Sequence, residues 1–203
     1  RAPRPSLLYF NVFLLLVHSF SQDKKDVLKK LNSTLLSMEN SLLKVQQNIQ
    51  NTDHEVKNST KRINKVLAPH GRTIDEYVKC KTNEFKAEEG LSTNTKFLKE
   101  FIPGTFRVYR KYLTDEDIHW KNAAEERKAK YKTMALEHTS EKCDELADQF
   151  PEAFVEIQEL KDQIYERQRY ELQYDYMFYK FFVLLDIYRK VQAFDETREE
   201  HEQ

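Results

Sequence analysis

The sequence predicts an all-α protein, an elongated helical bundle with long coiled-coil-like helices, and three observations carry that prediction. Charged residues make up 33% of the chain and glycine only 3 of its 203 residues, the composition of long solvated helices rather than of strands and turns. No stretch alternates with the two-residue period of a half-buried strand. Between Leu28 and Val66, seam residues recur at alternating three- and four-residue steps over nearly six heptads. Ten of those twelve seam positions are apolar, against 39% for the chain, so the pattern is a heptad seam and not background.

The chain divides into four parts. Residues 1–21 read as a secretory signal peptide: Arg1 and Arg4 lead, Leu7 to Phe20 is apolar apart from Asn11 and His18, and Ser19 and Ser21 flank Phe20. That run is shorter than the about 20 apolar residues a spanning helix needs. Cleavage is expected before Gln22, with no membrane span afterwards; retention as a signal anchor is the rival outcome. The first residue is Arg1, not methionine, and the true start is expected upstream.

Residues 22–68 form the long heptad helix. Its seam is Leu28, Leu31, Leu35, Met38, Leu42, Val45, Ile49, Thr52, Val56, Ser59, Ile63 and Val66. Thr52 and Ser59 weaken the seam towards its far end. The sequons Asn32-Ser33-Thr34 and Asn58-Ser59-Thr60 have their asparagines off the seam, so Asn32 and Asn58 are expected to carry glycan on the outward face.

Residues 69–150 form a helical body punctuated by glycine and proline. Pro69 and Gly71 mark the first break. A helix starts at Thr73, where Thr73 and Glu76 have the spacing of a capping box, and Gly90 reads as its terminator. A short helix is expected over Thr93 to Phe101, then a turn or two after Pro103-Gly104. A long helix follows from Thr114, as cap, to about Gln149, with Asp115, Glu116 and Asp117 in its first turn.

Residues 151–203 form an aromatic-rich C-terminal helix with an acidic tail, Glu196 to Glu202. The helix is expected to start at Pro151 and reach about Thr197, either separate from the preceding helix or continuous with it and kinked. The first and last helices would each be about 70 Å long at 1.5 Å per residue, too long for a compact globule of this size. Residues 22–203 are read as one domain.

Cysteine usage and charge narrow the function classes. Cys80 and Cys143 are an even pair, and in an oxidising lumen they are expected to form one disulfide rather than two free thiols. Closing that loop of about 64 residues is worth about 4 kcal/mol in the chain-entropy model. Beyond residue 21 the chain carries 31 basic and 34 acidic residues, net −3, which gives no pull towards nucleic acid. Arg107, Arg110 and Lys111, interleaved with Tyr109 and Tyr112, are a candidate polyanion patch suited to a glycosaminoglycan; the plainer reading is a basic face paired with acidic neighbours.

Catalytic, metal and cofactor residues are not found by motif. Glu116-x-x-His119 is one copy of a spacing that di-iron bundles need twice. There is no His-Glu-x-x-His, no phosphate-binding glycine loop and no Gly-x-Ser-x-Gly elbow. His54, His70, His119, His138 and His201 are scattered and read as solvated or capping residues.

The densest apolar segment outside the leader is 172–194, where 16 of 23 residues are apolar or aromatic. Its main reading is a central core helix. Tyr174, Phe178, Phe181, Phe182 and Tyr188 are the candidate residues for a partner surface or a ligand pocket instead. The expected function is that of a secreted, non-enzymatic helical protein that binds a protein or receptor along a helical face, or self-associates. The alternative is an extracellular carrier of an apolar small molecule on the aromatic helix. A luminal structural role is the third reading, but His201-Glu202-Gln203 is not a retention signal.

Overall fold

The computed structural model describes residues 7–113 and 117–194, with side chains from residue 22 onward. These residues form an all-α, elongated helical bundle. The helices are α1 (Leu7–Leu67), α2 (Asp75–Lys96), α3 (Ile102–Tyr109), α4 (Ile118–Glu137), α5 (Ser140–Ala147) and α6 (Phe154–Ala193). Among the described residues there is no strand, and no helix is long and apolar enough to cross a membrane. Several expected features lie outside the described residues: the Thr114 cap, Asp115 and Glu116, the tail Glu196 to Glu202, and the side chains of the leader.

α1 is 61 residues long, about 92 Å at the α-helical rise. The expected cleavage point before Gln22 falls inside it. Its seam is the buried edge: Leu31, Leu35, Leu42, Val45, Thr52, Val56, Ser59 and Ile63 are all buried. The polar seam residues are satisfied locally. The Thr52 hydroxyl donates to the Asn48 carbonyl at 2.9 Å, and Arg62 donates to Ser59 Oγ at 3.0 Å. At the far end the seam slips by one residue: Val66 is 47% exposed and Leu67 is 0% exposed.

The first break forms as expected. Ala68–His70 is a 3-10 turn, and Gly71 ends it at φ 64°, a conformation glycine adopts without strain. The Thr73–Glu76 capping box does not form. The Ile74 N–H donates to Asn64 Oδ1 at 2.9 Å, so a side chain of α1 satisfies the free amide at the start of α2.

Gly90 does not end a helix. α2 runs through it to Lys96, continues as a π turn over Phe97–Phe101, and passes into α3 across Pro103-Gly104. Proline has no N–H to give to the carbonyl four residues back and its ring crowds that carbonyl; the wider π turn one step earlier absorbs the misfit. The separate helix expected over Thr93 to Phe101 is therefore part of one long rod.

The long helix expected from Thr114 to Gln149 is two helices. Asp117 is the N-cap of α4, accepting from the His119 N–H at 3.1 Å. α4 stops at Glu137, because His138 and Thr139 leave helical geometry, and α5 follows from Ser140. At the last break Phe150 is non-helical, as the residue before a proline tends to be, so the two-helix reading holds over the kinked one. Pro151–Ala153 is a 3-10 turn, and α6 starts at Phe154 rather than at Pro151.

The helices alternate in direction. Asp53 meets Arg167 and Lys24 reaches the Gln192 carbonyl, so α1 and α6 run antiparallel along their seams. Phe85 meets Tyr165 and Phe97 meets Tyr176, so α2 lies parallel to α6. Asn83 meets His138 and Cys80 meets Cys143, so α4 and α5 return along α2. Two apolar cores result. One holds Val56, Ile63, Leu67, Ile74, Tyr77, Phe150, Ile157 and Ile164 near the α1–α2 turn. The other holds Leu31, Leu35, Phe97, Ile102, Ala124, Val183, Ile187 and Val191 at the opposite end.

Candidate functional site

The aromatic segment of α6 is divided by face. Its aliphatic residues Leu172, Val183, Leu184, Ile187 and Val191 are buried. Its aromatic residues are not core in the same sense. Tyr176, Tyr179, Phe181, Leu185 and Tyr188 pack against the core, as expected of most of the segment, while Phe178 is 42% exposed and Phe182 40% exposed. Tyr174, Phe178 and Phe182 are four residues apart and form a stripe down one helix face. Tyr174 stacks on Phe178 at 5.7 Å, and Phe178 meets Phe182 edge-on at 4.7 Å. Phe181 and Tyr188 are half-buried against the adjoining core, with Phe181 edge-on to Phe182 at 5.9 Å. The stripe's rings thus contact one another while keeping much of their surface in water.

Beside this stripe lies a cleft of about 320 Å³ where α2, α4 and α6 converge. Lys86 comes from α2, Arg127, Lys130 and Tyr131 from α4, and Asp175, Phe178 and Tyr179 from α6. Phe178 belongs to both stripe and cleft. The wall is pre-set: the Tyr179 hydroxyl donates to the Trp120 carbonyl at 2.9 Å, and the Arg127 guanidinium sits 4.7 Å from the Tyr179 ring centre. Burial pushes the Tyr179 phenol up; the Arg127 charge pulls it down more than the Glu126 charge raises it.

A second cleft of about 470 Å³ opens between α1 and α2 with Ile164 and Arg167 of α6 as its floor. It carries Lys57, Lys61 and Arg167 together with Asp53 and Asp75. Asp53 is already paired to Lys57 and Arg167; the hydrogen bond from Lys57, with the two cations' charges, outweighs burial and holds its carboxyl below the usual aspartate range.

The cysteines Cys80 and Cys143 lie at bonding distance, 2.11 Å between sulfurs and 5.6 Å between Cα atoms. The break at His138-Thr139 brings α5 there. Next to them Lys81 is buried against Glu84 at 2.8 Å and reaches Asp144 at 2.9 Å. Burial alone would lower the Lys81 ammonium, but the hydrogen bonds to Glu84 and Asp144 outweigh it and hold the group above its ordinary value. Tyr77 in the same region is pushed up by burial and by the nearby Asp144 and Glu84 charges.

The other candidates are dispersed. Arg107, Arg110 and Lys111 are exposed, and Lys111 is paired to Asp23 at the start of the described side chains of α1, so the plainer reading of that patch fits one of its three members. Asn32 and Asn58 are exposed on α1. His119 is exposed and Glu116 lies outside the described residues. Among the described residues no group of three or more His, Cys, Asp or Glu side chains is arranged to hold a metal ion.

The cleft residues Lys86, Arg127 and Lys130 were not singled out from the sequence. The only local signal was the basic run around Arg127, Lys128 and Lys130, which also fits a solvated helix face. No family model matches the chain, no curated protein matches its sequence, and no solved structure matches it.

Proposed function

We propose that the protein is a secreted, glycosylated, non-enzymatic helical protein that binds an extracellular protein partner along α6. The observation that carries this is the Tyr174–Phe178–Phe182 stripe, whose rings contact one another in a row while Phe178 and Phe182 are 40% or more exposed. Exposed contiguous aromatic surface is a liability unless something covers it, and aromatic residues are the side chains over-represented at binding hot spots. The Cys80–Cys143 pair supports an oxidising compartment, and the exposure of Asn32 and Asn58 leaves both sequons open to modification. A carrier of an apolar molecule is the weaker reading, because both clefts described carry charged side chains from more than one helix.

Site-specific photocrosslinking tests this in the intact secreted glycoprotein. A photoreactive phenylalanine replaces Phe182, and a control replaces the exposed Glu159 on the same helix. The expected result is one discrete extracellular protein crosslinked from position 182 and not from 159, lost in Phe178→Ser. Crosslinks only to a second copy of the chain, or equal labelling from both positions, would overturn the reading.

A further inference from the structure

We infer that the cleft between α2, α4 and α6 receives an acidic side chain of a partner peptide segment, while a neighbouring aromatic residue of that segment lies on the Tyr174–Phe178–Phe182 stripe. This rests on the proposed partner-binding role of α6 and names the chemistry that the partner must present.

Charge is the first argument. Lys86, Arg127 and Lys130 face one cleft, and the carboxylate lining it is Asp175. None of the three cations is in an ion pair with a described residue: the salt bridges of the described chain take up Lys57, Arg72, Lys81, Lys111, Arg167, Arg169 and Lys190 instead. Three clustered cations facing one anion repel one another, and a carboxylate brought between them removes that repulsion and gains charge-assisted hydrogen bonds. The need is for an anion.

Shape and chemistry of the walls then choose among anions. The cleft is lined by Tyr131, Phe178 and Tyr179 as well as by the cations, so the ligand has an apolar part next to its charge. At about 320 Å³ it sits at the small end of ligand clefts and suits side chains rather than a polymer threaded through it. Asp175 in the lining would repel a densely sulfated chain such as a glycosaminoglycan. An acidic residue next to an aromatic one satisfies both halves at once. Phe178 joins them, since its ring is shared by the cleft and by the exposed stripe.

Trp120 supplies the readout. It is the one tryptophan of the sequence, its ring is 5.4 Å from that of Tyr179, and its carbonyl accepts the Tyr179 hydroxyl. A ligand against Tyr179 should change Trp120 emission.

The experiment titrates the full secreted chain with a capped hexapeptide of alternating glutamate and phenylalanine, read by Trp120 fluorescence and calorimetry. Comparison probes carry glutamine for glutamate or alanine for phenylalanine, and a heparin hexasaccharide serves as the polyanion. The expected result is saturable binding of the acidic aromatic peptide that weakens with added salt and weakens about tenfold or more in Arg127→Glu and in Lys130→Glu. Both comparison peptides should bind more weakly. Lys130→Gln is the milder variant should charge reversal disturb the fold, and it should weaken binding in the same direction. Equal binding of the glutamine peptide, binding that survives Arg127→Glu with Lys130→Glu, or tighter binding of the hexasaccharide at this cleft would overturn the inference. If those results come while the crosslink from position 182 persists in the charge-reversed chain, the partner-binding role of α6 stands and only the acidic-peptide inference falls.

Discussion

Gly90 and Tyr131 occupy each other's space: a Cβ on Gly90 would lie 2.7 Å from the Tyr131 ring. The ring from α4 lies flat on α2 where α2 has no side chain, and Tyr131 is 5% exposed there. This is why a glycine sits in the middle of a helix. It permits two helices to approach closely, and the same approach forms the floor of the basic cleft, in which Tyr131 is a wall.

Gly90→Ala should therefore destabilise the protein although alanine is the better helix former. Helix propensity favours alanine by about 1 kcal/mol. Overpacking against a buried ring costs about 1–3 kcal/mol, so the clash wins. Urea denaturation of Gly90→Ala, Tyr131→Leu and the double variant checks this. The double variant should be more stable than the sum of the single effects predicts, because the smaller side chain gives the new methyl room. Simple additivity would mean that the two residues do not meet as described.

The sequence was legible where the information is local and opaque where it is tertiary. The seam of α1 could be read because its spacing repeats along one helix. It fails only at Val66, where a strict seven-residue repeat has run ahead of a helix with 3.6 residues per turn and Leu67 takes the buried position. Pro69 and Gly71 ended a helix because Gly71 is in the left-handed region. Gly90 and Gly104 did not, and for Gly90 the reason is a ring from another helix. The cleft was invisible in the sequence because its cations and rings come from three helices that meet only on folding. The aromatic helix could be recognised as unusual, but which of its faces meets water depends on where α1, α2 and α4 lie.

Removing one member of the buried pair at the disulfide should be more damaging than removing both. Lys81 and Glu84 have side chains 1% and 2% exposed, and Glu84 Oε1 has no hydrogen-bond partner in the structure. Lys81→Met leaves the Glu84 carboxylate in the interior with its main partner gone and should cost about 3–5 kcal/mol. Lys81→Met with Glu84→Leu should recover most of that loss, since an apolar pair of similar size needs no charge compensation. Equilibrium denaturation with the disulfide intact is the measurement. A double variant no more stable than Lys81→Met would show that the charges, rather than the volume, hold this region.

Acid should loosen the end of the bundle that Asp117 holds. Burial alone would raise its carboxyl, but the hydrogen bond and charge of Lys190 outweigh that and keep it below the ordinary aspartate value of 3.8. Its folded value is thus lower than its unfolded one, so the unfolded chain binds more protons in acid. The contribution is complete above the ordinary value and is lost as pH falls through it towards the folded one. Asp117→Asn keeps a side-chain acceptor for the His119 N–H and removes the charge. The variant should lose stability at neutral pH and show a shallower fall in acid than the parent chain. Parallel stability curves for the two proteins would rule out this pair as a source of the acid dependence.

The two faces of α6 should respond differently to truncation. Leu184 and Ile187 are 8% and 1% exposed and sit in the core against α1 and the rod of α2 and α3. Leu184→Ala and Ile187→Ala should each cost about 2–5 kcal/mol, the transfer loss plus the cavity left behind. Phe182→Ser and Phe178→Ser remove rings that already face water over 40% or more of their surface, and each should cost under about 1 kcal/mol. Their effect belongs on partner binding instead, where loss of an aromatic anchor weakens the complex without unfolding the protein. Thermal melts at several protein concentrations separate these effects. If Phe182→Ser is as damaging as Leu184→Ala, and the melting temperature of the parent chain rises with concentration, then a second copy covers the stripe and the partner is this chain itself. A melting temperature independent of concentration, with a stable Phe178→Ser chain whose probe at position 182 no longer crosslinks, is the outcome expected of a monomer that keeps its aromatic face for another protein.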